Sequence, residues 1–518
     1  MKKLTAILLS LVLILSLCSA AMLTVGAEEA TASVWDGTAN IKWYFDGKEL
    51  GEYELKSAAD LAGLAYIVNA GTDGTCYNGV YYDANYKVLG YRLSGTEGDY
   101  ANSALVYTPT SGDGSQVVAG DGLVWQTVKL CVDVVLNEGN AADWATTAPA
   151  NVWQPIGGGL HIDASSFGFN GTFDGQGHTI SGMYYKGVEE AFACGLFGYA
   201  GKTANTEFKD LTITNFYVEG AYGVGALVGR SNKPIVVSNV LITDGIVKAT
   251  NQQAAPLVAS VFGGAATLEN CGVSDVQVLG GKYLGAIVSL VNGMDFSATD
   301  CYAANVTVTG SDQCGAIIGR VAGGTIALKN VYVAAKLEAV GAEGVTTTEA
   351  GIVYGGIGNN SAPALGTIEN VFYVKDISAM QENGITNIEG ITEVTADSLK
   401  GETAKTTLVG FDFDTVWKTV ENGTPVIELR EAPNQGGEQG GEQGGTTTEP
   451  GDETDPDDET EPETDPDDET EPTTKAPEKD TTPTDDKKDG GCGSVIGFAS
   501  VCMIVLGASA CVIRRKEN

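Results

Sequence analysis

The chain has 518 residues, of which 43% are hydrophobic and 69 are Gly, and its formal net charge is −37. That charge argues against a nucleic-acid binder, because neutralising phosphates takes clustered Lys and Arg. The acid is unevenly spread: residues 433–489 carry 21 Asp and Glu against 4 Lys, so much of the charge describes one segment and not a catalytic centre.

In chain order, residues 1–27 read as an export signal. Lys2 and Lys3 precede an apolar run from Leu4 to Leu17, and Val25-Gly26-Ala27 offers a small-residue cleavage site. Residues 28–152 form an N-terminal cap region, opening with a strand-like stretch at Ile41-Lys-Trp-Tyr-Phe. Ser57-Ala-Ala-Asp60 has the spacing of a capping box. Leu61, Leu64, Ala65 and Val68 follow at helical spacing, which predicts a short helix over 58–69. Thr127 to Leu136 alternates as a strand does. Between them lies an insert, 72–124, holding seven of the chain's twenty Tyr, among them Tyr77, Tyr81, Tyr82, Tyr86 and Tyr91.

Residues 153–376 repeat. Gly195-Leu-Phe-Gly, Ala226-Leu-Val-Gly, Pro256-Leu-Val-Ala, Ala286-Ile-Val-Ser, Ala316-Ile-Ile-Gly and Gly351-Ile-Val-Tyr lie 31, 30, 30, 30 and 35 residues apart. A second line begins at Asp210, Asn239, Asn270, Asp300, Asn330 and Asn370, and a third runs through Val218, Ile246, Val276, Val306 and Leu337. Three short strands per ~30 residues, in phase, predict an all-β fold, a right-handed parallel β-helix of about seven stacked coils. Leu211, Val240, Cys271, Cys301, Val331 and Val371 then form one inward column. Ile213, Ile242, Val273, Ala303, Val333 and Tyr373 form another. The Asx residues stack at a turn.

Residues 377–432 break the phase and read as a C-terminal cap. Residues 433–490, with Glu453-Thr-Asp-Pro-Asp-Asp-Glu-Thr-Glu-Pro462 repeated at 463–472, read as a disordered acidic stalk. Residues 494–513 are uncharged and long enough for a transmembrane helix, and the basic tail 514–518 follows. By the positive-inside rule the tail stays cytoplasmic and the rest lies outside.

The segment Gly171-Thr-Phe-Asp-Gly-Gln-Gly-His-Thr-Ile-Ser-Gly, with Gly195-Leu-Phe-Gly and Ala226-Leu-Val-Gly, resembles the GLUG-repeat proteins of bacterial surfaces. Trp153-Gln-Pro-Ile-Gly157, Ala59 to Asn69, and Phe411-Asp-Phe-Asp-Thr-Val-Trp417 look like that family's opening and closing segments. The resemblance covers about 57–430, with the Tyr-rich insert as a departure. It implies the β-helix and a Gram-positive-type cell-surface setting, but it does not name an activity.

No catalytic constellation emerges. The two His, His161 and His178, fall in a loop and a glycine turn, with no His-Glu-x-x-His or Gly-x-Ser-x-Gly motif. Asp174, Asp210, Asp244, Asp275 and Asp300 sit mostly at turn phases, where Asp bonds local backbone, although a pair of them could hydrolyse a glycoside. Asp412 and Asp414 are too few for calcium. Of the ectodomain cysteines Cys76, Cys131, Cys194, Cys271, Cys301 and Cys314, Cys271 and Cys301 occupy one column, as stacked thiols or a disulfide. No cofactor is implied. The insert tyrosines are the candidate binding residues, since flat amphipathic rings stack on sugars, or else they pack the insert onto the fold. The expectation is a membrane-anchored adhesin recognising a glycan or another surface protein. A polysaccharide-degrading enzyme and a structural spacer stay open beside it.

Overall fold

The computed structural model describes residues 33–70, 77–93, 123, 126–158, 168–187, 190–201, 203–339, 349–359, 361–378, 381–382 and 388–427. All fall within one unit, Met1–Gly437. The signal, stalk and membrane span expected at 1–27, 433–490 and 494–513 lie outside the described residues. So do Cys76 and His161.

The architecture is a parallel β-solenoid. One sheet has 18 strands and a second has 6, so the second sheet spans five coil-to-coil steps. The six short strands are Phe197–Ala200, Val228–Ser231, Val258–Val261, Val288–Val291, Ile318–Val321 and Tyr354–Ile357. The long strands that alternate with them, such as Thr206–Val224, Ile235–Ala254 and Ala266–Gly285, bend at corners.

The corners follow from backbone chemistry. Asp210, Asn239, Asn270, Asp300, Asn330 and Asn370 all have φ between 50° and 53°. Asn and Asp tolerate this left-handed region better than branched residues. Their side chains also stack: Asn239 Nδ2 donates to Asp210 Oδ1 at 2.9 Å, and Asn270 Nδ2 donates to Asn239 Oδ1 at 3.1 Å. The run restarts where Asn330 donates to Asp300 at 3.1 Å and Asn370 to Asn330 at 3.0 Å. It breaks between Asn270 and Asp300, consistent with a carboxylate having no proton to donate. Asn215, Asp244, Asp275 and Asn305 make a second corner, with φ between 49° and 55°.

Both inward columns stand as read. Leu211 pairs with Val240, Cys271 with Cys301, and Cys301 with Val331 and on to Val371; all six residues are fully buried. Ile213, Ile242, Val273, Ala303, Val333 and Tyr373 are in register throughout. The third line needs correction. Val218, Val247, Val278, Val308 and Leu337 form one inward column, Val276 and Val306 are also in the core but in the neighbouring row, and Ile246 pairs with Tyr217 on the outside. The second corner sets this register: Asn215, Asp244, Asp275 and Asn305 each stand three residues before the inward Val.

Ile41-Lys-Trp-Tyr-Phe is not a strand. It begins the helix Lys42–Leu50, which buries Trp43, Tyr44 and Gly47 on one face and ends at Gly51, with φ 76°. The spacing of those three is helical, and glycine makes the left-handed stop. The helix Ala58–Asn69 forms where expected, with Ser57 Oγ accepting from Asp60 N at 3.1 Å. Every residue from Leu61 to Asn69 is buried, so this helix packs into the core beside the first strands.

Two outer stretches of the long sheet are roofed. Residues 391–427 run from a strand, Ile391–Glu393, paired on Val371–Tyr373, into a segment lying along the flank. That segment packs Leu399, Leu408, Phe411, Trp417 and Ile427 on an outward column of Tyr302, Tyr332 and Phe372. The Trp417 indole donates to Asp300 Oδ1 at 3.2 Å, tying the roof to the Asx ladder. Nearer the N-terminus, Ala141 and Trp144 cover Tyr184, Tyr217 and Ile246.

Candidate binding face

The insert tyrosines divide. The strands Tyr77–Tyr82 and Val88–Leu93 pair as an antiparallel hairpin. Tyr81 and Tyr82 are buried, and Tyr86, at the turn, is half-buried. Tyr86 stacks on Tyr82 at 5.7 Å and tilts against Phe45 at 5.2 Å, so these rings give much of their faces to the protein. The side chains of Tyr77 and Tyr91 lie outside the described residues.

The other candidates are held by local bonds. Asp133 Oδ1 accepts from Thr179 N at 2.8 Å and lies 3.1 Å from His178 Nδ1, fastening the glycine turn. Asp174 accepts from Gln176 N at 3.0 Å. Asp412 accepts from the Thr415 hydroxyl at 2.5 Å and from Asp414 N at 2.9 Å, and these bonds hold its carboxyl below the ordinary range. Asp210, Asp244, Asp275 and Asp300 are corner residues. Among the described residues no group of three His, Cys, Asp or Glu could hold a metal ion. Cys131, Cys194, Cys271, Cys301 and Cys314 are free thiols.

Two clefts flank the start of the helix Ala58–Asn69, of about 480 and 430 Å³. Their walls share Lys56, Ser57 and Ala59, and the Ser57 hydroxyl is already engaged as the helix cap.

The second sheet is different. Its outward column runs Tyr199, Arg230, Ser260, Leu290, Arg320 and Gly356. Between residues 93 and 429 the sequence holds two arginines, and both are in this column. The adjacent corner contributes a row of Phe192, Tyr222, Gln252, Lys282 and Asp312. The Arg230 guanidinium lies 3.8 Å from the Phe262 ring centre and 5.5 Å from that of Phe192; Arg320 lies 4.3 Å from that of Tyr283. Stacking on an aromatic face fixes the guanidinium plane while leaving its edges free to donate. Burial pulls the Arg230 pKa down, although it stays a cation at any physiological pH. No ion pair of the described residues uses either arginine.

The two arginines differ in one respect. Arg230 Nε donates to Asn232 Oδ1 at 2.9 Å. The coil position of Asn232 is filled by Ala322 next to Arg320, and Arg320 Nε is buried without a hydrogen-bond partner. Gln313 Oε1, against Gly356 of the same sheet, is also unpaired. An orphaned buried polar atom costs about 1–3 kcal/mol. Sequence reading missed this face, yet a signal was present: Gly229-Arg230 and Gly319-Arg320 occupy the same phase of the repeat.

The fold places the chain among the parallel β-solenoid proteins. No family model matches it, the GLUG repeat included, and no curated protein does. Among solved structures it is similar to a putative immunoglobulin A1 protease from Bacteroides ovatus, at 17% identity and a TM-score of 0.39, over 60% of this chain and 87% of that one. So remote a likeness carries no argument about chemistry.

Proposed function

We propose that this chain is a surface recognition protein of the GLUG-repeat kind, held by the segment 494–513. Its solenoid presents the outer face of the second sheet to an extracellular glycan or a neighbouring surface protein. The observation that carries this reading is the strip of Phe192, Tyr222, Phe262 and Tyr283 beside two stacked arginines that no ion pair of the described residues uses. Rings and arginines are the side chains that dominate recognition surfaces. The candidate acids Asp174, Asp210, Asp244, Asp275 and Asp300, in contrast, are held in corners and a turn, which does not favour the enzyme reading. The insert tyrosines Tyr77, Tyr81, Tyr82, Tyr86 and Tyr91 are kept as a secondary contact region.

The test is a glycan array probed with the purified full-length chain, each hit also assayed for chain cleavage, alongside labelling of an N-terminal-side epitope on intact cells. Binding without cleavage, together with labelling of unpermeabilised cells, supports the proposal. Cleavage of a bound glycan would replace it with an enzyme, and labelling only after permeabilisation would remove the surface assignment.

A further inference from the structure

We infer that the ligand of the second-sheet face is a polyanionic polysaccharide, bearing carboxylates or sulfates, that bridges Arg230 and Arg320. This rests on the binding role proposed above and adds the chemical class of the ligand. In a chain of net charge −37, two stacked guanidiniums stand in one column without an ion pair among the described residues. Burying part of a cation without a counter-charge is unfavourable, and a carboxylate or sulfate supplies both the charge and two acceptors in the guanidinium plane. Arg230 has one internal acceptor, Asn232, while Arg320 Nε has none.

The spacing selects a polymer over a small anion. Three coil steps separate the two arginines, about 14 Å along the ladder, too far for one anionic group to reach both. The floor between them is Ser260 and Leu290, both buried, low and uncharged. Lys282, over the Tyr283 ring at 5.6 Å, adds a third cation beside the strip, and Asp312 next to it is the one acid of that corner row. A sugar chain can lay an uncharged ring face against the half-exposed Tyr222, which Phe192 backs at 5.9 Å, and place its acids at the arginines. An acidic peptide could meet the charges but offers no such faces.

The experiment titrates the full-length chain, in detergent, with pairs of polymers that differ only in charge: polygalacturonate against its methyl ester, and dextran sulfate against dextran. Binding of the charged member alone, weakening with salt, is expected. Arg230→Gln and Arg320→Gln should each cost about tenfold in affinity. Arg320→Lys should recover only part of that loss, because an ammonium lacks the planar fork. Ala322→Asn, which supplies the internal acceptor while leaving both charges, should also weaken binding. Unchanged melting temperatures keep these losses separate from unfolding. Equal binding of both members, lost on Tyr222→Ala, would overturn the anionic ligand and leave the binding role standing. No binding to any of these polymers would overturn the polyanionic ligand and leave the binding role to be decided by the glycan array. Binding that appears only when residues 438–489 are deleted would make the chain's own acidic segment the occupant and overturn the inference.

Discussion

Asn330 shows how much one corner residue holds. It is 7% exposed, sits at φ 51°, donates to Asp300 and accepts from Asn370. Asn330→Ala removes both bonds and puts a side chain without local hydrogen bonding in the left-handed region, for an expected loss of about 2–3 kcal/mol. Asn330→Gly keeps the backbone relaxed and should lose only about half of that; equal losses in urea melts would show that the ladder bonds alone matter. Gly63 is constrained differently, by space. A Cβ there would overlap the Asn40 carbonyl oxygen, which is main chain and cannot swing away. Gly63→Ala should therefore destabilise by about 2–4 kcal/mol, opposite in sign to an exposed helix site, where alanine would stabilise.

The stacked strands make their thiols inert. Burial pushes the Cys194 and Cys314 pKa values from 9.0 up to about 12, and the Cys301 thiol, beside Cys271, is raised too. A thiol with a raised folded pKa contributes stability that is fully present below its unfolded value and is lost as pH rises through the folded one. The urea midpoint should hold to about pH 8 and fall from pH 9 upward, less steeply in a Cys194→Ala, Cys314→Ala double variant; identical slopes would clear the thiols of any part in it. Of the described thiols, native alkylation at neutral pH should label Cys131 alone, since Cys194, Cys271, Cys301 and Cys314 are all buried. The roofing segment can be tested by Trp417→Ala, which empties the contact with Tyr302 and Tyr332 and takes away the donor to Asp300. We expect a loss of about 3–5 kcal/mol and exposed apolar surface that binds a hydrophobic dye. A dye-silent variant would mean that the roof stays down without its anchor.

In the unit as a whole, each coil buries its inward residues only against its neighbours, so stability accumulates along the stack. Helix Ala58–Asn69 closes on the first strands, the flanking segment covers one outer column, and Ala141 with Trp144 covers another. Hydrogen exchange should accordingly be slowest in the central strands Ile235–Ala254 and Ala266–Gly285, which have a coil on each side, and faster in Ala364–Tyr373. Uniform protection along the stack would contradict this nearest-neighbour picture. The coil region's two arginines lie on the outer face of the second sheet, half-buried among column neighbours that are themselves buried.

The coils were legible from the chain because their rules are local. Period-two alternation decides which residues point inward, and the left-handed preference of Asn and Asp marks the corners, so both columns from Leu211 and Ile213 could be written down in register. The third column slipped because two inward rows follow the second corner, with Val276 and Val306 in one and Val278 and Val308 in the other, and the apolar Ile246 between them faces out. Ile41 to Phe45 was misread because its apolar residues fit either period, and burial against the hairpin and the first strands favours the helix. The flank over Tyr302 and Tyr332 had no local signature: aromatic residues facing outward become core only once a segment about 100 residues later folds back on them. The arginine face arose in the same way. Ninety residues separate Arg230 from Arg320 in sequence, and three coil steps bring them into one column. Local chemistry thus specified the repeating unit, while the stacking of units, which depends on contacts between distant segments, brought the two arginines into one column.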